Sequence, residues 1–216
     1  MTTMVHDEEL INAATHGLGL GCAVAASVVL LWIASHHGSA WQIAGCSIYA
    51  ATLIAAYAAS TLSHAFRRPG PRHAFRVADQ AIIFLFIAGS FTPLAFTYLR
   101  HGAWWLLTGA IWLVALFGFF RKAVFAHRVQ MGAVSVGLYL LLGWLPVLAT
   151  KPMIETVPTP FLLLILAGGL CYSAGIIFFH FDARVRYFHA AWHLMVIAGT
   201  TCHFIGILTY CTRAVG

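Results

Sequence analysis

Charge is scarce in this sequence. Only 8% of its 216 residues are Asp, Glu, Lys or Arg, whereas 61% are hydrophobic, against roughly a quarter charged and half apolar in soluble domains. A soluble fold has no means of hiding that much apolar surface, so composition excludes the soluble classes. Cysteine is also sparse. Cys22, Cys46, Cys171, Cys202 and Cys211 lie in or at the ends of apolar runs with no CxxC among them, which argues against a thiolate zinc site or a disulfide framework and for buried free thiols. No linker or low-complexity tract interrupts the chain, so residues 1–216 are expected to form a single transmembrane domain. The first apolar run follows the acidic Asp7, Glu8 and Glu9 instead of a basic segment and shows no small-residue cleavage pattern, so it is expected to stay as a helix. Lys and Arg number twelve against six acidic residues, but they sit between apolar runs, where they determine topology. Membrane lipids are the expected partners, and nucleic acid is not one.

Long apolar runs are what the sequence does have. A bilayer core takes about 20 residues of helix, and seven segments qualify: His16 to Ala34, Trp41 to His64, Val77 to Tyr98, Ala103 to Phe120, Val129 to Leu148, Phe161 to Phe181 and Phe188 to Tyr210. The breaks carry loop chemistry, as in Arg67-Arg68-Pro69-Gly70-Pro71-Arg72 and the stretch from Lys151-Pro152 to Pro160. Arg67, Arg68, Arg72, Arg76, Arg121, Lys122, Arg128, Arg184 and Arg186 fall on one side, and Arg100, Lys151 and Arg213 on the other. Positive charge stays cytoplasmic, which predicts a cytoplasmic N-terminus and an outside C-terminus. Trp32, Trp41, Trp104 and Trp105 fit an outer interfacial belt.

Ionisable side chains are costly inside a bilayer, so those within spans are functional candidates. His64 precedes Arg67 by three residues, Asp79 follows Arg76 by three, and His189 follows Arg186 by three, each about 4.5 Å of helix rise from an arginine. The arginines act as a common ruler. Ser60 and His64 share one helical face, as do His189 and His193, both pairs being i, i+4. Three imidazoles, a carboxylate and a hydroxyl therefore belong to one layer. Three neutral imidazoles with a fourth position open to water form a catalytic-type zinc set, and zinc so held lowers the pKa of its water to about 7. Asp79 is placed to take the water proton and Ser60 to orient the water or a substrate.

Each residue also has a plainer reading. An HxxxH pair without the Glu of HExxH also occurs as an interfacial hydrogen-bonding pair, Ser60 as a packing residue bonded back to its own helix, and Asp79 as a helix N-cap beside Arg76. Glu9, Asn12 and His16 form one helical face that is either a solvated entrance or a set of residues supporting the metal ligands. His203 lies ten residues beyond His193, about 15 Å deeper, and is expected to make a buried hydrogen bond. His180 and Asp182 end the sixth span, where Asp182 could pair with Arg184 or Arg186. His6, His36, His37, His73, His101 and His127 fall in tails or loops.

At Glu9 to Gly17, Ser60-Thr61-Leu62-Ser63-His64, Asp79 with Gly89-Ser90-Phe91-Thr92-Pro93, and His189-Ala190-Ala191-Trp192-His193, the sequence resembles the hemolysin III family within the progestin and adipoQ receptor superfamily. The resemblance covers nearly the whole chain. It implies seven helices, a cytoplasmic N-terminus and an intramembrane zinc held by His64, His189 and His193, with Asp79 and Ser60 approaching through water. A similar arrangement in alkaline ceramidases implies lipid amide hydrolysis. His180-Phe181-Asp182 has no counterpart in that pattern. The expected protein is an all-α, multi-pass protein of a bacterial inner (plasma) membrane, with zinc as cofactor and a lipid amide or ester as substrate, acting in membrane homeostasis. The alternatives are a pore-forming hemolysin with cytolytic action and a zinc-braced sensor or receptor. Spans four to six carry few charged side chains to line a pore.

Overall fold

A computed structural model describes the backbone of residues 2–125 and 133–213, and the side chains of residues 7–125 and 134–213. His6, His127, Arg128 and the expected start of the fifth span at residues 129–132 lie outside the described side chains. The helices run in the order α1 (Thr2–His37), α2 (Ala40–Ala65), α3 (Pro69–Tyr98), α4 (Trp104–Val124), α5 (Ala133–Trp144), α6 (Thr150–Thr156), α7 (Thr159–Phe181) and α8 (Phe188–Tyr210), with a 3-10 turn at Leu145–Ala149 joining α5 to α6. No strand occurs among the described residues. Seven helical segments are long and apolar enough to cross a membrane, and α5, the 3-10 turn and α6 together make the fifth. In hydrocarbon each helix satisfies its own backbone, which is why apolar runs of this length become helices and not open strands.

Several boundaries differ from the expectation: α1 begins at Thr2 and takes in His36 and His37, α4 runs on through Arg121 and Lys122 to Val124, and His73 lies within α3 and not in a loop, because polar and basic residues at a helix end can reach the interface without breaking the helix. The Arg-Pro-rich stretch after α2 is not all loop: α3 starts at Pro69, because a proline at the first helical position gives up only an N–H that would have no partner there. Asp79 therefore sits ten residues inside its helix and cannot be its N-cap. The proline-rich stretch after Leu148 likewise contains α6, with Pro152 in its first turn. Ser39 closes the start of α2 with a capping box to Gln42, and the Gln42 amide also donates to the Arg213 carbonyl.

Close packing fixes α8 against α7. A Cβ on Gly168 would lie 2.9 Å from the Gly199 carbonyl oxygen, and one on Gly199 would lie 3.0 Å from that of Gly168, so the two backbones meet where only glycine fits. Between these helices the chain turns within six residues, and Tyr187 at the N-cap of α8 holds the left-handed conformation (φ 64°, ψ 5°), a strained choice for a residue with a side chain. This turn delivers Asp182 and His189 to the same place. At the other end of the helices Trp41 packs edge-on against Trp105 at 5.5 Å, with Arg100 over the Trp41 ring, a belt of interfacial character. Leu18, Leu106, Leu113, Phe117 and Leu163 face outward, as suits a protein whose solvent is lipid.

Candidate metal centre

His64 comes from the last turn of α2, and His189 and His193 from the first turns of α8. One ring nitrogen from each lies within 4.8 Å of the others, and their ring centroids form a triangle of 4.7, 5.0 and 5.2 Å. Each ring is held from behind. His64 Nδ1 is 2.7 Å from Glu9 Oε2, His189 Nδ1 is 2.8 Å from Asp182 Oδ2, and His193 Nδ1 is 3.1 Å from Thr15 Oγ1. Carboxylates only accept, and the single Thr15 proton is already directed at the Ile11 and Asn12 carbonyls, each 3.0 Å away. All three Nδ1 atoms therefore carry the proton, and all three Nε2 atoms present a lone pair.

That donor set suits zinc. Tetrahedral zinc holds nitrogens at about 2.0–2.1 Å, hence about 3.3 Å apart, and ring shifts of about 1 Å would close the triangle. A carboxylate or hydroxyl behind each ligating imidazole is the usual support of a metal site. Glu9 is itself tethered, since its other oxygen accepts from Arg72 and, at 3.4 Å, from Arg76. Arg186 reaches Asp7 at 3.8 Å and Glu8 at 3.6 Å. The first turns of α1 are thereby drawn over the triangle by arginines from α3 and from the α7–α8 turn.

The other anticipated residues are placed as follows. The His16 ring stacks on His193 at 3.6 Å, and its Nδ1 is 2.7 Å from Ser60 Oγ. Asp79 is within hydrogen-bonding reach of Ser60. With its one proton directed to that carboxylate, the Ser60 oxygen accepts from His16. Asn12 is buried one helical turn from His16 and lines the same cavity. His203 stands apart, its Nε2 bonded to the Ile165 carbonyl at 3.2 Å. His180 is exposed and outside the triangle. Asp182 pairs with His189 and with neither Arg184 nor Arg186 in any described ion pair. Thr15 was missed by sequence reasoning, although it lies inside the Glu9 to Gly17 motif, because a threonine in a helix ordinarily bonds to its own backbone.

From this layer a cavity of about 760 Å³ extends between α3, the fifth span, α7 and α8. Asp79, Ser60, His64, His189 and His193 line its polar end, and Leu94, Ile111, Phe161 and Ile207 line its far end. Several lining residues of the fifth span and α7 are also outward-facing, among them Trp144, Val147, Ile154 (67% exposed) and Leu166 (47%). The cavity thus opens sideways between those two elements, bridged by a hydrogen bond from Trp144 Nε1 to Ser173 Oγ at 3.1 Å.

Seven membrane-length helices with the apolar side chains turned outward define an integral, multi-pass helical membrane protein, and the histidine triangle is a site of metal-ligand type within it. The comparisons with known proteins give the particular family. Residues 4–204 match the family model described as Haemolysin-III related, and the chain belongs to that family. It is 36% identical to "Hemolysin-3" of Bacillus cereus over 94% of this chain and 91% of that protein. It is 32% identical to the "Hemolysin-3 homolog" of Bacillus subtilis (strain 168), covering 95% of each. The human "Monocyte to macrophage differentiation factor" is 29% identical over 96% of this chain and 86% of that protein, which fits the progestin and adipoQ receptor superfamily. No solved structure matches.

Proposed function

We propose that this protein is a zinc-dependent hydrolase of a lipid amide or ester, in a bacterial inner membrane, with the metal site at the cytoplasmic face. The observation that carries the reading is three imidazoles, each fixed through Nδ1, at the polar end of a cavity open to the membrane. His64, His189 and His193 would hold the ion. A zinc there supplies Lewis acidity toward a carbonyl and acidifies a water. Asp79 takes up a proton at its free carboxylate oxygen and returns it to the leaving group, while Ser60, held by His16, keeps that carboxylate oriented. Glu9 and Asp182 keep the ligand lone pairs aimed. The arginine-rich end is cytoplasmic and the N-terminus lies on that side, a reading supported by the distribution of Lys and Arg.

A pore is the second reading, favoured by the printed names of the two Bacillus relatives. Against it, the far end of the cavity is closed by the buried, apolar Leu94, Ile111, Phe161 and Ile207, whereas conduction needs a continuous polar path. The deciding experiment pairs zinc quantification with fatty-acid release from a panel of lipid amides, esters and phospholipids by purified protein, and with ion flux in liposomes. Zinc-dependent release without flux is the expected result. Flux with no turnover on any substrate would replace the hydrolase with the pore.

A further inference from the structure

Past the histidine layer, on the arginine-rich side, the cavity lining continues to Glu8, Arg76, Asp182 and Ala183, of which Arg76 and Ala183 are exposed. The site therefore has a polar mouth as well as a sideways one. A divalent cation loses its hydration in hydrocarbon at great cost, so an ion bound for the triangle has to pass the polar mouth. The first turns of α1 lie over it. Between Asp7 and His16 the buried side chains are Asn12 and His16, both polar, and the first buried apolar residue of α1 is Ala23. These turns are held by hydrogen bonds and by charge, Glu9 pairing with Arg72 and Arg76, and Asp7 and Glu8 with Arg186. A segment without buried apolar contacts, held through exposed ion pairs, belongs to the part of a fold that opens most readily. Firm packing begins at Gly19, where a Cβ would lie 2.6 Å from the Tyr57 ring. Two residues earlier, a Cβ on Gly17 would meet nothing nearer than Thr61 Cγ2 at 3.6 Å, and glycine weakens a helix at its own position.

We infer that Asp7 to His16 form a hinged strap over a zinc port: bending at Gly17 lifts Glu9 from His64 and opens the triangle to the cytoplasm, and the pairs of Asp7 and Glu8 with Arg186 hold the strap shut. This rests on the metal-binding half of the proposed function and not on hydrolysis. A strap that is closed most of the time obstructs entry and exit alike. It sets how fast zinc exchanges and leaves the equilibrium affinity almost unchanged as long as the open form stays a minor population. That separates Asp7, Glu8 and Arg186 from Asp182, whose loss lowers the affinity itself. Asp7 is 62% exposed and Arg186 45%, so dissolved salt screens their attraction and loosens the strap.

The test follows loss of a radioactive zinc tracer from purified full-length protein chased with unlabelled zinc. Chelator competition gives the equilibrium affinity in parallel, and hydrogen–deuterium exchange reports opening of the α1 amides. Asp7→Asn combined with Glu8→Gln should speed tracer loss about three- to tenfold at unchanged affinity. Raising salt from about 0.1 to about 1 M should speed the wild type more than this variant. Gly17→Ala, for which there is room, should slow tracer loss about threefold by stiffening the hinge. Arg186→Glu should speed it, and adding Asp7→Arg and Glu8→Arg to that variant should restore slow exchange. The amides between Glu8 and Thr15 should follow the same order, fastest where tracer loss is fastest. Tracer loss indifferent to all these changes, or an affinity that falls by as much as the rate rises, would overturn the port. A protein that binds no zinc removes the metal reading and the port with it, whereas zinc held without turnover on any lipid leaves the port standing and removes only the hydrolase.

Discussion

Removing Asp182 should weaken metal binding without unfolding the protein. Its carboxylate accepts from His189 Nδ1 at 2.8 Å, so its loss frees the imidazole to rotate and to place its proton on Nε2, the nitrogen that the ion needs. Support residues of this kind are worth about 10- to 100-fold in metal affinity, or roughly 1.4 to 2.7 kcal/mol. Asp182→Asn keeps an accepting oxygen and should fall at the lower end, whereas Asp182→Ala removes it and should fall at the upper end. Asp182 gives a cleaner result than Glu9, because Glu9 also pairs with Arg72 and Arg76 and its removal would strand two guanidinium groups. The assay is zinc competition against a chelator of known affinity, with the exposed neighbour His180→Ala as the control that should bind as wild type. Unchanged affinity in Asp182→Ala, at unchanged helical content, would refute the argument that Nδ1 bonding sets the ligand tautomer.

The purified protein should hold about one zinc, with His64→Ala, His189→Ala and His193→Ala each losing metal and thermal stability together; equal metal loss in His203→Ala would contradict the depth assignment. Asp79→Asn should keep its zinc while lipid hydrolysis drops by about 10² to 10⁴, with a smaller drop for Ser60→Ala, and loss of zinc in Asp79→Asn would make the carboxylate a ligand and not a base. Reporter fusions should place the N-terminus inside and the C-terminus outside, and a cytoplasmic C-terminus would break the topology.

Much of the architecture was legible in the chain because a bilayer reduces folding to a one-dimensional question of where hydrocarbon can be met by an unbroken apolar run. The final helix, Phe188–Tyr210, coincides with its apolar run. The boundary at α3 does not, because the Arg-Pro segment reads as a turn while proline is also an acceptable first helical residue. Depth along a helix is likewise linear in residue number, so counting from the arginines brought His64, His189, His193 and Asp79 to one layer, and the i, i+4 rule gave the shared faces.

What the sequence by itself determined, then, is which residues stand at the same depth. Which of them face each other was decided by tertiary structure. Thr15 meets His193 across 178 residues of chain and Glu9 meets His64 across 55. Asp182 meets His189 across a turn in which Tyr187 is left-handed, and no local periodicity encodes such a bend. The cavity is still less local. Its floor and its sideways opening are spaces left between α3, the fifth span, α7 and α8, and a space among four helices depends on how closely each pair packs, down to the contact of Gly168 with Gly199, which no single helix specifies.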